Sequence, residues 1–187
     1  MKNKKLMISL FSLCLVAIVG LLTTVIVLAA GTQNVNTTIN VTYSATNIAG
    51  TVSAQHKIAN GTAVDMTTDG TASGAKVISF AAEDANANGT LNPQGSLALT
   101  AENKYIEFIY TFTSTGDSYK ATVAATGFDM KNYIIQYKVG DGAYSDTAAT
   151  NVDVTSDASA TVTIKIEIVN TAIAVNAAGS FAWTLAK

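Results

Sequence analysis

The sequence predicts an all-β protein, a two-layer antiparallel β-sandwich of roughly nine or ten short strands preceded by one N-terminal hydrophobic helix. Beyond residue 31, β-branched and aromatic residues alternate with polar ones between clusters of Gly, Asn, Asp and Ser, which is the pattern of strands and turns. Hardly any segment of this part has a helical period. Before residue 31 the chain has a lysine-rich start and then an uncharged, mainly apolar run, and this run predicts the helix.

The first 31 residues have the form of an export signal or a membrane anchor. Three lysines lie among the first five residues, and the uncharged run covers residues 6–31. The run exceeds the ~20 residues that span a bilayer, whereas a cleaved signal usually has an apolar core of only ~7–15 residues. Small residues nevertheless flank a cleavage position between Ala29 and Ala30, so cleavage and retention both stay open, and N-terminal sequencing of the protein from fractionated cells distinguishes them. The residues expected to anchor a retained helix are Leu6, Phe11, Leu15, Val19, Leu22 and Ile26.

Either outcome places residues 32–187 outside the cytoplasm, at the outer face of the membrane or in the extracellular space, as one β-sandwich domain. This part contains all 13 acidic residues but only eight lysines, since three of the 11 basic residues precede it, and it has no arginine. A negative surface without arginine argues against nucleic acid as a partner. The single cysteine, Cys14, lies inside the apolar run, so the exported part has no disulfide and depends on packing for its stability.

The clearest strand pattern covers residues 104–123, which we interpret as a hairpin with one buried face. The buried row of its first strand is Ile106, Phe108, Tyr110 and Phe112, and that of its second strand is Tyr119, Ala121, Val123 and Ala125. Residues 114–117 (STGD) form the turn between them.

Further strands follow the same alternation. Residues 160–170 are expected to bury Val162, Ile164, Ile166 and Ile168 and to expose Thr163, Lys165 and Glu167. Residues 133–139 precede a Gly-Asp-Gly turn, and residues 180–186 place Phe181, Trp183 and Leu185 on one face. Weaker patterns predict strands at residues 38–45, 51–59, 76–82 and 96–100.

The exported part offers little for catalysis. Its one histidine, His56, has no second histidine or cysteine near it, whereas a zinc site needs two or three correctly spaced ligands. No Gly-x-Ser-x-Gly elbow is present to activate a serine. We therefore interpret His56 as a surface strand residue and the protein as a non-enzyme.

One spacing suggests a metal ion. Asp84, Asn86, Asn88 and Gly89 match the first half of a calcium-binding loop. The twelfth position, which should be a bidentate glutamate, is Gly95, so calcium is a weak candidate and no other cofactor is expected. Asp and Asn are also the ordinary residues of loops, which is the simpler interpretation.

A covalent bond between a lysine and an asparagine is a further possibility, which needs a buried lysine beside an asparagine and an acid; Lys165, Glu167 and Glu107 lie on well-defined strands. All three residues fall on faces that we interpret as solvated. An exposed cross-strand charge pair is therefore the favoured interpretation.

Residues 91–123 resemble the TasA/camelysin group of exported bacterial sandwich proteins, in the Pro-Gln-Gly turn, the following strand and the step at residues 112–116 (FTSTG). The lysine-led N-terminus and the ending SFAWTLA are similar as well, so the resemblance covers roughly a third of the chain. The aromatic sequence that commonly follows the signal in that group is missing here. The resemblance implies a surface or matrix protein whose subunits join by adding an N-terminal strand to a neighbour's sheet. Camelysin-type members are described as metallopeptidases, but no ligand set can be transferred to this sequence.

We expect a non-catalytic surface or extracellular-matrix protein, tethered to the membrane by its helix or assembled as a homo-oligomer or fibre. The segment 32–43 suits strand exchange, because it has no proline or charge and is rich in Thr, Val and Ile. The residues expected to carry the exchange are Asn34, Val35, Thr38, Ile39, Val41 and Tyr43. The alternative is that the segment pairs within its own sheet. A second function is binding of surface polysaccharide through exposed aromatic residues such as Tyr133, Tyr137 or Tyr144, although core or turn packing is the favoured interpretation of each. An exported metallopeptidase is the least favoured function.

Overall fold

The computed structural model describes residues 32–40, 48–81, 88–95, 97–99, 103–169 and 178–187, and the segment 1–31 with its expected helix lies outside them. The described residues form twelve strands: β1 (Thr32–Asn40), β2 (Gly50–Ile58), β3 (Val64–Asp65), β4 (Val77–Phe80), β5 (Asn88–Thr90), β6 (Leu97–Ala98), β7 (Tyr105–Ser114), β8 (Tyr119–Thr126), β9 (Tyr133–Val139), β10 (Val152–Val154), β11 (Ser159–Ile168) and β12 (Ala178–Ala186). Within these ranges, no helix has the length and hydropathy needed to cross a membrane.

The strands form two sheets. The first sheet has the order β10-β8-β12-β1-β5, with β6 also paired to β1, and the second has the order β3-β2-β7-β11-β9, with β4 also paired to β2. All pairs between the described strands are antiparallel except β1 with β12, which run parallel. The prediction of an all-β protein with two sheets is confirmed. The expectation that its strand pairs are antiparallel fails only for β1 with β12 among the described strands.

The core lies between the two sheets and is built from the predicted alternating rows. The second sheet contributes Ile106, Phe108, Tyr110 and Phe112 of β7 and Val162, Ile164, Ile166 and Ile168 of β11, all buried. The first sheet contributes Tyr119, Ala121 and Val123 of β8 and Phe181, Trp183 and Leu185 of β12. Rings meet across the gap, with centroids 5.8 Å apart for Phe108 and Phe181 and 5.1 Å for Tyr110 and Trp183. These contacts join the layers, as expected for two sheets packed face to face.

The hairpin interpretation of residues 104–123 is wrong. β7 pairs with β2 and β11 in the second sheet, whereas β8 pairs with β10 and β12 in the first. The turn between them therefore crosses from one sheet to the other, and Ser114 stabilises it by donating its hydroxyl to the carbonyl oxygen of Asp117 at 3.0 Å. The two buried rows therefore belong to opposite sheets, and both face the core instead of lying side by side in one sheet. Alternation identifies which face is buried but not which sheet a strand joins.

The outer face of the second sheet is less exposed than the sequence suggests. Thr163 is buried, and the side chains of Lys165 and Glu107 are each only 18% exposed. Residues 140–147 follow β9 and turn back beside it, where Ser145 pairs with Tyr137. From there the side chain of Tyr144 extends over this face and donates its hydroxyl to the Oε1 atom of Glu107 at 2.5 Å. The prediction that Thr163, Lys165 and Glu167 lie in solvent is therefore wrong for Thr163 and only partly right for the other two.

Candidate functional site

The segment expected to exchange forms β1, an interior strand of the first sheet. On one side it pairs with β12, with Val35 opposite Gly179, Thr38 opposite Ala182 and Ile39 opposite Trp183. The same parallel register places Asn34 opposite Ala178. On the other side it pairs with β5 through Thr38, Ile39 and Asn40, and with β6 through Thr32 and Gln33. In this single chain, β1 therefore lies within its own sheet, and exchange between chains stays a prediction.

β1 is connected to the rest of the fold in an unusual way. Its longest pairing is with β12 at the other end of the sequence, and the next strand along the chain, β2, belongs to the second sheet. The pairings on its other side are short, with three positions on β5 and two on β6. Among the described residues, no strand forms a tight hairpin with β1, so an identical strand from another chain could form the same bonds.

Several candidate residues lie outside the described part of the chain. These are the exchange residues Val41 and Tyr43, the calcium-loop residues Asp84 and Asn86, the cleavage residues Ala29 and Ala30, and the anchor residues Leu6, Phe11, Leu15, Val19, Leu22 and Ile26. Asn88 begins β5, where its backbone pairs with Asn40. Among the described residues, no three His, Cys, Asp or Glu side chains are grouped to hold a metal ion. The calcium loop stays a prediction.

The aromatic residues considered for polysaccharide binding do not form an exposed platform. Tyr133 and Tyr137 lie on the core side of β9 and are buried, and burial also raises the pKa of Tyr137. Tyr144 is half-buried on the outer face of the second sheet. Burial, followed by its bond to Glu107, raises its pKa strongly. The interpretation of Tyr133 and Tyr137 as exposed ligand-binding residues is wrong, because the odd-numbered residues of β9 face the core.

The residues around Lys165 form a compact polar group. Its Nζ atom lies 2.8 Å from Glu167 and 5.4 Å from the ring centroids of both Tyr105 and Tyr144. The residues opposite Lys165 in the sheet are Glu107 on β7 and Gln136 on β9. Neither is an asparagine, so the cross-strand positions beside Lys165 lack the partner that a lysine–asparagine bond requires. The arrangement is a half-buried ion pair with cation–π contacts.

The sequence did not indicate Tyr144 as part of this group. Its position after the Gly-Asp-Gly turn predicts only that the chain reverses there. Tyr144 and Glu107 are 37 residues apart in the sequence, so no short-range pattern links them. The sequence feature that could have indicated this contact is the turn itself, because a chain that reverses at the end of an edge strand comes back alongside the same sheet.

His56 is a core residue, which contradicts its interpretation as a surface residue. It lies on the core side of β2 opposite Phe108, is only 5% exposed, and its Nδ1 atom has no hydrogen-bond partner in the described part of the chain. Burial lowers its pKa from the ordinary value, because the charged imidazolium is poorly solvated there.

We expect acid to destabilise the protein through His56. The unfolded chain takes up a proton near pH 6.5, and the folded state resists it because its pKa is lower. The free energy of unfolding should thus be steady above pH 6.5 and fall as the pH drops from there towards the lowered pKa. Urea titrations at pH 7.5, 6.5 and 5.5 measure this. His56→Gln should flatten the slope in this range, since His56 is the only histidine, and an unchanged slope would contradict the assignment.

No protein-family model and no curated protein sequence matches the chain. Among solved structures, it is similar to the major pilin protein T-13 of Streptococcus pyogenes at 12% sequence identity and a TM-score of 0.18. The match covers 84% of this chain and 45% of the pilin, so the chain spans less than half of the pilin's length. A TM-score of this size does not establish a shared fold.

Proposed function

We propose that this chain is a non-catalytic structural protein of the cell surface or extracellular matrix, and that copies join by placing β1 of one chain in the first sheet of the next. The N-terminal segment 1–31 would direct export and, if retained, would tether the sandwich to the membrane. The observation that carries the proposal is the parallel pairing of β1 with β12, a strand from the other end of the described sequence.

Exchange would preserve the contacts that the single chain makes. The bonds of β1 to β12, β5 and β6 depend on the sequence of the strand and not on which chain supplies it. The open and closed forms then differ mainly in the entropy of association, which makes strand exchange a low-cost route to assembly. The sequence supports this role, because residues 32–40 contain no charge and no proline.

The register supplies a direct test. Asn36 lies opposite Ser180 across the β1–β12 pair, and directly opposed positions on neighbouring strands lie within the range a disulfide can bridge. One preparation carries Asn36→Cys and another carries Ser180→Cys, both with Cys14→Ser. If β1 exchanges, mixing them under mild oxidation gives a disulfide-linked heterodimer, whose yield rises when the chains are unfolded and refolded together.

The matched control pairs Asn36→Cys with Ser159→Cys, an exposed position in the second sheet. This mixture should give no more heterodimer than random collision. A chain carrying both Asn36→Cys and Ser180→Cys should close on itself and lose assembly through β1. Equal heterodimer yields from the two mixtures would refute exchange through β1.

A further inference from the structure

β9 is the longest strand at a margin of the sandwich. It ends the second sheet beyond β11 and has seven residues, whereas the described strands at the other margins, β3, β4, β5, β6 and β10, have two to four. A long edge strand is a template on which another chain can add a strand, and proteins usually cover or charge such edges.

Part of this edge is covered by residues 140–147, which we name the strap. Tyr137 and Ser145 exchange both backbone hydrogen bonds, at 2.8 and 2.9 Å, on the side of β9 that points away from β11. The chain reverses at the start of the strap through Gly140 in the left-handed region (φ 54°) and through the bond from the Gly142 N–H to the Val139 carbonyl. The strap thus occupies one pair of outward backbone groups on β9.

Tyr144 holds the strap across the face of the sheet. Its side chain reaches from beyond β9, over β11, to Glu107 on β7, where its hydroxyl donates a 2.5 Å hydrogen bond. The ammonium groups of Lys138 and Lys165 lie 5.3 and 5.4 Å from its ring centroid. A charge-assisted hydrogen bond and two cation–π contacts therefore act on one side chain, which makes Tyr144 the main latch of the strap.

The strap does not cover the whole edge. Ile135 lies two residues before Tyr137, so its backbone N–H and C=O point to the same outer side of β9. An antiparallel pair of two β9 strands, centred on Gln136, would place Ile135 of one chain opposite Tyr137 of the other, and both residues have outward backbone groups. On the outer face, Ile134 would lie opposite Lys138 of the second copy. The strand is therefore self-complementary in backbone pattern and free of like charges in direct opposition.

We propose that β9 is a second self-association edge, that its occupant is β9 of another copy in antiparallel pairing, and that the strap must lift for this pairing to form. This edge is in the second sheet, so it is independent of the exchange of β1 in the first. Together the two contacts would let assemblies grow sideways as well as lengthwise.

The test uses chains in which β1 cannot exchange, closed by the Asn36→Cys/Ser180→Cys disulfide with Cys14→Ser. In this background, Tyr144→Ala with Ser145→Pro removes the latch and one backbone bond of the strap. We expect sedimentation velocity to show dimerisation at least tenfold tighter than in the locked parent. Faster amide hydrogen exchange at Tyr137 without any tighter association would overturn the proposal.

Should this variant fail to fold, Tyr144→Phe provides a second test, because it removes only the hydroxyl. It is expected to tighten dimerisation by a smaller factor, and an unchanged dimerisation constant would again overturn the proposal.

Charge changes at Ile134 test the register. Its side chain is 42% exposed, so it tolerates substitution. In the latch-free variant, Ile134→Lys places lysine against Lys138 of the second copy and should weaken dimerisation at least tenfold, whereas adding Lys138→Glu to it should restore the affinity. Val64→Lys on β3, at the opposite margin, is the matched control and should change nothing. Equal dimerisation with and without Ile134→Lys would exclude the β9 pairing. Ile134 also lies opposite Glu167 within the chain, so thermal melts of each variant separate this local effect from association.

Discussion

Trp183→Ala is expected to lower the free energy of unfolding by about 3–5 kcal/mol, the range for truncating a large buried aromatic residue. Trp183 is fully buried on β12, with ring centroids 5.1 Å from Tyr110 and 4.7 Å from Phe112 on β7. It therefore contacts the opposite sheet directly, and alanine would leave a cavity between the layers that neither rigid sheet can close.

Equilibrium urea unfolding followed by far-UV circular dichroism measures this loss, because Trp183 is the only tryptophan and its fluorescence disappears with it. Trp183→Phe should cost clearly less than Trp183→Ala. It keeps an aromatic ring and removes an indole N–H that has no acceptor among the described residues. A loss below about 1 kcal/mol for Trp183→Ala, the size typical of an average substitution, would show that this side chain does not join the layers.

Gly50→Ala is expected to lower the free energy of unfolding by about 2–3 kcal/mol, in the upper part of the range for an inserted methyl group in a packed region. Gly50 begins β2, and a Cβ atom there would overlap the backbone carbonyl oxygen of Thr113 on β7 and lie 3.0 Å from the ring of Phe80. Because the nearest atom belongs to a paired strand, relief requires a shift of β2 against β7. The cost is steric and does not involve the conformational freedom of glycine.

Thermal and urea unfolding check the effect of Gly50→Ala against Ser53→Ala. Ser53 lies on the same strand, is half-buried, and loses only a hydroxyl, so its effect should stay within about 0.5–1 kcal/mol. Equal stabilities of the two variants would mean that β2 approaches β7 less closely than the structure indicates. If amide hydrogen exchange shows reduced protection only in β2 and β7, the displacement lies between these two strands, as expected.

The alternation of side chains was sufficient to predict the main strands and their buried faces. The rows on β7, β11 and β12 were identified correctly because a strand with one buried face must place its apolar residues at every second position. The same rule failed at His56. This polar residue occupies a core-facing position of the alternating pattern on β2, where burial favours its neutral form. It also gave little signal for the shortest strands, such as β3 and β6, since two residues cannot show a period.

Pairing between distant strands was beyond what local patterns can indicate. β7 and β8 alternate as a hairpin would, and only their partners show that they belong to different sheets. The strand propensity of β1 was evident, but its parallel partner β12 was not, because nothing in either segment encodes the other's position. The strap was missed for the same reason, since its latch joins Tyr144 to a residue two strands away.

The pairing of the earliest strand with the last one has a consequence for the timing of folding. A ribosome adds about 5–20 residues per second, so β1 waits on the order of ten seconds before the residues of β12 exist. Local β-structure forms within microseconds, and the second sheet, whose strands are all complete at Ile168, could assemble well before the first. When export keeps pace with synthesis, the rate of synthesis, and not the intrinsic speed of strand pairing, would set when the first sheet closes, and during that interval β1 would be available to the β12 strand of another chain.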